Sequence, residues 1–388
     1  MKRIIAIIIS LCMVFSLTAC KTTTPDEGEN GDLILIGCIL PLSGTSAYDG
    51  ESAMNGAKAA ANYINNNGGV AGGRKIKLIF EDSATDPDTA VSAAEKLINK
   101  DGVKVLIGAF NSSCTAAVQP VAEANKVPLI TSIATSGTLT QNGCRYFFRT
   151  VGISSLYVNA FAGKIINELD VKNIAYIYEN GDWGLGSVNT FKEYAESLGA
   201  KTTTIQVINK EDADLYTQLT AIKKSKPDAI YAVSNLSNAV RIAVQKQELG
   251  IDCPMIGEGS WTSGDFLDQA GAAAEDIYGM VEYLPDITTD MNPLFTELYS
   301  AVTGGKSPDK YAACEFNAVL VAANSIDRAT NPDDSTSIRD ALKNTDMNML
   351  TGPIKFDENG QGYGFEVFLS QNKDGKATCV GSTTVTLQ

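Results

Sequence analysis

The 388-residue sequence contains no histidine. This excludes Ser-His-Asp and Cys-His catalysis, and it excludes zinc sites that use histidine ligands. Chemistry that uses only carboxylates stays open, but the sequence has no convincing reactive group of residues or metal-ligand cluster. We therefore expect a protein that is not an enzyme and that carries neither a cofactor nor a metal.

Positive charge is also scarce. Thirty-one lysine and arginine residues stand against 45 aspartate and glutamate residues, which gives a formal net charge of −14. A nucleic-acid partner would need a basic surface. The charge balance therefore argues against nucleic acid as a partner.

The N-terminus carries the features of an exported protein. Lys2 and Arg3 precede "IIAIIISLCMVF", an apolar run too short for a comfortable membrane span, and "LTAC" follows it. Small residues before a cysteine resemble the bacterial lipobox, in which the cysteine is lipidated and everything before it is removed. We therefore predict a lipoprotein signal peptide over residues 1–19, a lipid anchor on Cys20 and an extracytoplasmic location at the bacterial cell membrane. An ordinary cleaved signal peptide, with Cys20 incidental, is the alternative.

Residues 20–32 continue with a polar segment, "KTTTPDEGENGD", that has no apolar periodicity. Such a composition favours a flexible tether. Loss of Lys2 and Arg3 with the signal peptide would change the formal charge from −14 to −16 (−14 − 2).

The six cysteines after Cys20 lack the close pair spacing of a zinc or redox motif. Cys38 lies in an apolar strand and is expected to be a buried thiol. The sequence does not decide whether the others pair, and Cys114–Cys144 is the first pair to test.

From Leu33 onward, apolar strands alternate with amphipathic helices, as in "LILIGCI", "KIKLIFE", "NIAYIYE" and "DAIYAVS" and the segments between them. Continuous apolar strands between helices indicate parallel sheets that are covered on both faces. The pattern restarts after "YFFRTVG", and about 350 ordered residues exceed one comfortable core. We predict an α/β fold with two doubly wound parallel-sheet lobes.

Polar residues follow nearly every predicted strand, where sheets of this kind bind ligands. In the first half they are the hydroxyl groups at 111–113 and 131–136; in the second half they are Asp182, Trp183, Ser234, Asn235, Glu258 and Trp261. Each hydroxyl loop taken alone is equally consistent with helix capping. Because both halves contribute, we predict a ligand-binding cleft between two lobes.

Three short motifs do not support cofactor or metal sites. "GGVAGGRK" has arginine where a phosphate loop needs lysine, and it precedes a strand. The glycines of "GDWGLG" do not fit a dinucleotide motif. "DENGQG" begins like a calcium loop, but Phe368 occupies the position of the bidentate glutamate.

The sequence resembles the leucine/isoleucine/valine-binding protein family from Leu33 to the C-terminus. The resemblance rests on "IGCILPLSGTSAYDGESAMNGAKAAANYINNNGGVAGGRKIKLIFEDSATDP", "LIGAFNSSCTAAVQPVAEANKVPLITSIATSGTL", "YFFRT", "DWGLG" and "TGPIKFDENGQ", in that order. These proteins are extracytoplasmic solute-binding subunits of ABC importers with a type I periplasmic-binding fold. The resemblance implies a monomer with a three-segment hinge, which closes around a solute and presents it to a membrane permease. It places lobe I at 33–150 plus 280–352 and lobe II at 151–279 plus 353–388.

The resemblance also implies ligand-binding residues. Ser112 and Thr135 occupy positions that hold the charged head group of an amino acid, with the carbonyl of Ile133 as a further acceptor. Glu258 corresponds to the acidic residue that receives the ammonium, and Trp183 stands where an aromatic side chain closes over the ligand. A carboxylate near Ser112 is physically reasonable, because backbone N–H groups at a helix start point outward.

Two positions depart from the family pattern. Asp49, with Tyr48 just before it, stands at the first-loop aromatic position, and Asn235 replaces an aromatic residue of the second lobe. We therefore expect an amino acid ligand, either of the branched-chain type that the family binds or with a more polar side chain. The alternatives are a binding protein for an amide, urea-like or small carboxylate solute, and a sensory ligand-binding receptor, which would need a transmembrane or signalling segment.

Overall fold

The computed structural model describes residues 33–386. Its strands are Leu33–Leu40 (β1), Lys75–Asp82 (β2), Val105–Ile107 (β3), Leu129–Thr131 (β4), Phe147–Arg149 (β5), Asn173–Glu179 (β6), Lys201–Ile208 (β7), Ala229–Ser234 (β8), Met255–Gly259 (β9), Ile277–Val281 (β10), Met347–Met349 (β11), Gly352–Phe356 (β12), Gly362–Tyr363 (β13), Glu366–Lys373 (β14) and Lys376–Thr384 (β15). Its α-helices are Ala47–Asn66 (α1), Pro87–Asn99 (α2), Ser112–Asn125 (α3), Ser154–Glu168 (α4), Asp182–Ser197 (α5), Tyr216–Ser225 (α6), Leu236–Glu248 (α7), Gly264–Ala270 (α8), Asn292–Thr303 (α9), Lys310–Arg328 (α10) and Ser335–Lys343 (α11).

The first lobe is built on a five-stranded sheet in the order β2-β1-β3-β4-β5, and the pairs β1–β3, β3–β4 and β4–β5 are parallel. Both faces of this sheet are covered. Ile36 and Cys38 of β1 pack among residues of α1 and α10, whereas Ile39 packs among residues of α2 and α3. Burial on both faces explains why β1 is apolar almost throughout.

The second lobe is built on a seven-stranded sheet in the order β15-β14-β10-β9-β8-β6-β7. Strands β7, β6, β8, β9 and β10 pair in parallel, as the alternating sequence pattern predicts. The C-terminal hairpin β14–β15 extends this sheet through antiparallel pairs. Before that hairpin the chain returns to the first lobe, where α9 and α10 pack against α1.

A small three-stranded sheet, β11-β12-β13, lies close to the end of β5. Arg149 and Gln361 form an isolated parallel bridge, and the guanidinium Nε of Arg149 donates to the side-chain oxygen of Gln361 at 2.7 Å. The α/β class with two lobes is therefore confirmed. The lobe boundaries near residues 150, 279 and 352 stay a prediction.

The six cysteines of the described chain have free thiols, so the pair Cys114–Cys144 forms no disulfide. Cys38 is fully buried, as β1 predicts. None of the helices between residues 33 and 386 is both long and apolar enough to cross a membrane. The predicted signal peptide, Cys20 and the tether lie outside the described residues.

Candidate functional site

A cleft lies at the carboxyl ends of the parallel strands of both lobes. Its lining residues follow β3 and β4 in the first lobe and β6, β8, β9 and β10 in the second, with further residues from the start of α10. The space, including its open mouth, is about 720 Å³. Six of the eight predicted ligand residues line it: Ser112, Ile133, Thr135, Trp183, Asn235 and Glu258.

The first-lobe wall presents neutral polar groups. Helix α3 begins at Ser112, and its N-cap Asn111 makes no side-chain capping bond, so first-turn N–H groups remain available to an anion. The Ser112 hydroxyl accepts from the N–H of Ser136 at 3.3 Å, which ties the two hydroxyl loops together. No hydrogen bond from the described chain reaches the carbonyl of Ile133. This wall can therefore hold a carboxylate and accept from an ammonium.

Two buried charged residues behind this wall fix the loop that carries Thr135. The guanidinium of Arg149 donates to the carbonyls of Ala134 at 3.2 Å and Ser136 at 2.7 Å, on either side of Thr135. The carboxylate of Glu315 accepts from the hydroxyl of Ser132. Neither role was predicted from the sequence. An acidic residue inside the apolar helix segment "YAACEFNAVLVAA" was the available signal for Glu315.

The second-lobe wall presents a carboxylate. Glu258, near the end of β9, is 5% exposed and accepts four hydrogen bonds. The donors to its Oε1 are the Trp183 indole N–H (2.8 Å) and the hydroxyls of Ser154 and Ser187 (both 2.9 Å), and the Tyr231 hydroxyl donates to Oε2 at 2.6 Å. These donors hold the carboxylate in one orientation, and Glu258 in turn fixes the ring of Trp183.

The two walls meet at Ser154, the first residue of α4. Its hydroxyl lies 3.1 Å from the hydroxyl of Thr135 and 2.9 Å from Glu258 Oε1. The predicted head-group residues Thr135 and Glu258 are therefore close neighbours in the structure, joined by a serine that the sequence analysis did not select.

Asn235 lines the cleft, but one N–H of its side-chain amide is already used. It donates to Glu179 Oε2 at 2.9 Å, while the Asn235 backbone N–H and the Asn238 side chain donate to Oε1, both at 3.0 Å. Burial raises the pKa of Glu179, against the effect of these hydrogen bonds. Asn235 therefore holds the ends of β6 and β8 together at the cleft wall.

Tyr48 and Asp49 are not brought into the cleft. Both lie in the first turn of α1, where successive side chains point in different directions. Tyr48 is 60% exposed and lines a separate surface depression. Asp49 is buried, and its carboxylate accepts from the Ser260 hydroxyl at 3.0 Å. Asp49 thus joins the first lobe to the second, beside the cleft.

An ion pair in the cleft was also missed by the sequence analysis. The ammonium of Lys310 lies 3.3 Å from Glu282 Oε2 and 5.0 Å from the centre of the Tyr311 ring. The side chains of Lys310 and Glu282 are 9% and 12% exposed. Burial acts to lower the pKa of Lys310, but attraction by Glu282, Cys314 and Glu258 outweighs it and raises that pKa. Glu282 directly follows β10. The expectation that ligands bind where parallel strands end, which selected Glu258, could therefore also have selected Glu282.

Within residues 33–386, no three cysteine, aspartate or glutamate side chains are grouped so that they could hold a metal ion. The cleft instead combines the N-terminus of α3 and hydroxyl groups on one side with Glu258 on the other. Such an arrangement can bind a small molecule that carries both an anionic and a cationic group.

Comparison with known proteins gives the family. The profile of the family described as periplasmic binding protein matches residues 34–376. The leucine-, isoleucine-, valine-, threonine- and alanine-binding protein of Pseudomonas aeruginosa is 29% identical over 333 residues, which cover 85% of this chain and 87% of that protein.

Solved structures agree with this result. A leucine-binding protein from Thermotoga maritima superposes with a TM-score of 0.83 at 25% identity, over 90% of this chain and 99% of that one. The branched-chain amino acid transporter substrate-binding protein of Streptococcus pneumoniae, in complex with isoleucine, gives a TM-score of 0.82 at 26% identity, over 91% and 99% of the two chains.

These similarities extend over both lobes and confirm the predicted family resemblance. The relatives are solute-binding proteins and not enzymes. The chain therefore belongs to the periplasmic binding protein family and, within it, to the leucine/isoleucine/valine-binding proteins with the type I fold.

Proposed function

We propose that this protein is the substrate-binding lipoprotein of an ABC importer, and that it captures a free amino acid between its lobes and delivers it to the permease. One observation carries the proposal. The uncapped N-terminus of α3 with Ser112 faces a cleft whose other wall carries the buried carboxylate of Glu258. An α-amino acid has the complementary pair of charged groups.

In the proposed complex the carboxylate of the ligand accepts from the first-turn N–H groups of α3 and from the Ser112 and Thr135 hydroxyls. A helix N-terminus favours an anion at this position. The ammonium donates to Glu258 and to the carbonyl of Ile133. A buried ammonium without a counter-charge would be costly, and Glu258 supplies that charge. The names of the Pseudomonas and Streptococcus relatives support an amino acid ligand.

Lipid anchoring on Cys20 belongs to the same proposal and rests on the "LTAC" sequence. A Cys20→Ala variant expressed with its signal peptide should incorporate no labelled fatty acid. It should also appear as a released or unprocessed protein. Fatty-acid labelling equal to that of the wild type would rule out Cys20 as the anchor.

Ligand capture is best tested with the chain from residue 33 onward, because the described residues from Ile34 onward form one compact unit. A thermal-shift screen against the amino acids, their amides and small carboxylic acids should raise the melting temperature with amino acids, since a ligand that binds only the folded state stabilises it. Stabilisation by carboxylic acids or amides alone would contradict the amino acid assignment.

Trp183 provides an independent signal for the same experiment. The sequence has two tryptophans, and Trp261 is fully buried against Phe266, away from the cleft lining. The intrinsic fluorescence should therefore change on ligand addition in the wild type and change little in Trp183→Phe. Small-angle scattering on the same samples should show a smaller radius of gyration with ligand, as hinge closure requires.

A further inference from the structure

The Lys310–Glu282 pair is a second polar feature of the cleft that the binding of an amino acid head group does not use. Lys310 is the first residue of α10 in the first lobe, and Glu282 follows the last residue of β10 in the second sheet. Both line the same cavity as Ser112 and Glu258. Both residues therefore line the cavity into which a ligand held by its head group would extend its side chain.

Both partners keep unused hydrogen-bonding capacity. An ammonium has three N–H donors, and within residues 33–386 its contacts are the Glu282 carboxylate at 3.3 Å and the face of the Tyr311 ring. The Glu282 Oε2 atom is buried and makes the ion-pair contact without a well-aligned hydrogen bond. The pair can thus both donate to and accept from a bound molecule.

Such a pair does not suit a purely aliphatic ligand. Burial of an ion pair carries a desolvation penalty, which is recovered only when the remaining donors and acceptors find partners. A branched aliphatic side chain offers none. When the lobes close over it, Lys310 and Glu282 would stay incompletely hydrogen-bonded in a site from which water is excluded.

The charges also argue against a charged ligand side chain. In the proposed complex the α3 N-terminus matches the ligand carboxylate, and Glu258 matches its ammonium. Lys310 and Glu282 neutralise each other. An acidic side chain would meet Glu282 and a basic one would meet Lys310, and either would leave an uncompensated charge in the closed cleft.

We infer that Lys310 and Glu282 select an amino acid whose uncharged side chain carries both a donor and an acceptor, as the carboxamide of glutamine or asparagine does. The carboxamide oxygen accepts from the Lys310 ammonium, and its N–H₂ donates to Glu282. This inference rests on the proposed function and specifies its substrate class. It makes these two residues specificity determinants in addition to the head-group residues.

Calorimetric titration with L-glutamine, L-asparagine, L-leucine, L-glutamate and L-lysine tests the inference. The wild type should bind glutamine or asparagine at least tenfold more tightly than each of the other three. Lys310→Met and Glu282→Gln should each weaken carboxamide binding about tenfold to a hundredfold, the range for a lost hydrogen bond to a charged group. Leucine binding should change less than threefold in either variant.

A double variant, Lys310→Met with Glu282→Leu, replaces the pair by apolar side chains and should reverse the preference in favour of leucine. Lys306→Met is the matched control, because Lys306 is exposed and lies in the separate depression near Tyr48. Thermal unfolding of each variant without ligand checks that the fold is retained. A single variant that fails to fold is replaced by the double variant, which leaves no unpaired charge.

The outcomes separate the inference from the proposed function. Wild-type protein that prefers leucine, or a leucine-to-glutamine ratio unchanged in the double variant, overturns the inference and leaves the pair as a structural link between α10 and β10. The amino acid function stands in that case. If none of the five amino acids binds, and the wider screen yields no other amino acid, the proposed function fails together with the inference.

Discussion

Around the proposed head-group site, the two walls of the cleft place charged and neutral groups in opposite order. In the first lobe the neutral hydroxyls of Ser112 and Thr135 face the cavity, and the charged groups of Arg149 and Glu315 lie behind them as supports. In the second lobe the carboxylate of Glu258 faces the cavity, and the neutral hydroxyls of Ser154, Ser187 and Tyr231 support it.

The difference follows from what each end of an amino acid needs. A carboxylate is well solvated by several neutral N–H and O–H donors at a helix start, so a formal charge in front is unnecessary. An ammonium in a closed cleft needs an opposite charge, and only a carboxylate supplies it. The first wall therefore depends on accurate placement of neutral groups, and the second depends on charge.

The largest expected effect is the loss of charge from the second wall. Glu258→Gln keeps the side-chain shape, because the amide oxygen can take the three donors of Oε1 while the amide N–H₂ donates to the Tyr231 oxygen. We expect the affinity for an α-amino acid to fall by about 2–5 kcal/mol, the range for removing one partner of a buried charge pair. Calorimetric titration of both proteins measures it.

The control for this prediction is the same ligand without its α-amino group. Its binding should be weak in the wild type, because Glu258 would be buried without a counter-charge, and it should be equal or tighter in Glu258→Gln. Equal binding of the intact amino acid by both proteins would show that the second wall does not act through charge.

The sequence was sufficient to predict the α/β class and the second wall in outline. Apolar strands buried on both faces, such as β1 and β8, are continuous in the sequence and predict a covered parallel sheet. Glu258 could be found because strand ends in such folds face ligands. The antiparallel hairpin β14–β15 was not foreseen, since nothing in its sequence specifies which sheet edge it joins.

The supporting residues could not be found in this way. Arg149, Ser154 and Glu315 act through partners that are distant in sequence or on another element, and no local pattern reports such contacts. Lys310 is brought to the cleft by the return of the chain to the first lobe. Tyr48 and Asp49 lie outside the cleft because α1 begins at Ala47, which sets the directions of both side chains. The sequence did not show at which residue this helix begins.

A smaller effect is expected for the neutral wall. Ser112→Ala and Thr135→Ala each remove one hydrogen bond to a charged ligand group, which contributes about 1.5–3 kcal/mol, or roughly tenfold to a hundredfold in affinity. Because the backbone N–H groups of α3 would also donate to the ligand carboxylate, neither variant should abolish binding. Ser92→Ala, at an exposed position of α2, is the matched control. Unchanged affinity in both cleft variants would leave these hydroxyls with a capping role only.

The carboxyl group of Glu315, behind the first wall, should affect the free energy of unfolding more than the affinity for the ligand. Burial raises the pKa of Glu315 to about 7, against the hydrogen bond from Ser132. The folded state therefore holds this proton more tightly than the unfolded state. The stability contribution is complete below the unfolded pKa and is lost as the pH rises through about 7. Between pH 8 and pH 6 the wild type should gain roughly 1 kcal/mol of unfolding free energy relative to Glu315→Gln.

Urea unfolding of both proteins at pH 8, 7 and 6 measures this difference. Affinity for the ligand at pH 6 should be nearly equal, because the amide oxygen introduced by Glu315→Gln can still accept from Ser132 and the loop keeps its position. If the unfolding free energies of the wild type and Glu315→Gln changed by the same amount between pH 8 and pH 6, the prediction would be contradicted. A large loss of affinity would instead make Glu315 part of the ligand site.

The smallest expected effect concerns Asp49, the carboxylate that joins the walls beside the cleft. Burial raises its pKa to about 7, helped by repulsion from Asp309 and opposed by the Ser260 hydroxyl, by Lys310 and by the Leu236 N–H. Asp309 and Lys310 belong to the first lobe and act whether the lobes are open or closed. In the proposed hinge motion, Ser260 and Leu236 of the second lobe would move away from Asp49 when the lobes open.

Closure should therefore raise the pKa of Asp49, because burial is the largest of these causes. The closed form then binds the proton more tightly, so the contribution of Asp49 to closure is complete at low pH and is lost as the pH rises through about 7. Affinity should improve roughly two- to tenfold from pH 8 to pH 6, less than the full linkage would give, since Asp309 acts in both forms.

Asp49→Asn should remove this pH dependence of the affinity while keeping the contact with Ser260. Glu315→Gln should leave it intact, because Glu315 lies inside one lobe and is equally buried before and after closure. Titrations of the three proteins at pH 6, 7 and 8 decide between the two carboxylates: a pH dependence that survives in Asp49→Asn but disappears in Glu315→Gln would assign it to the support of the first wall and not to the contact between the lobes.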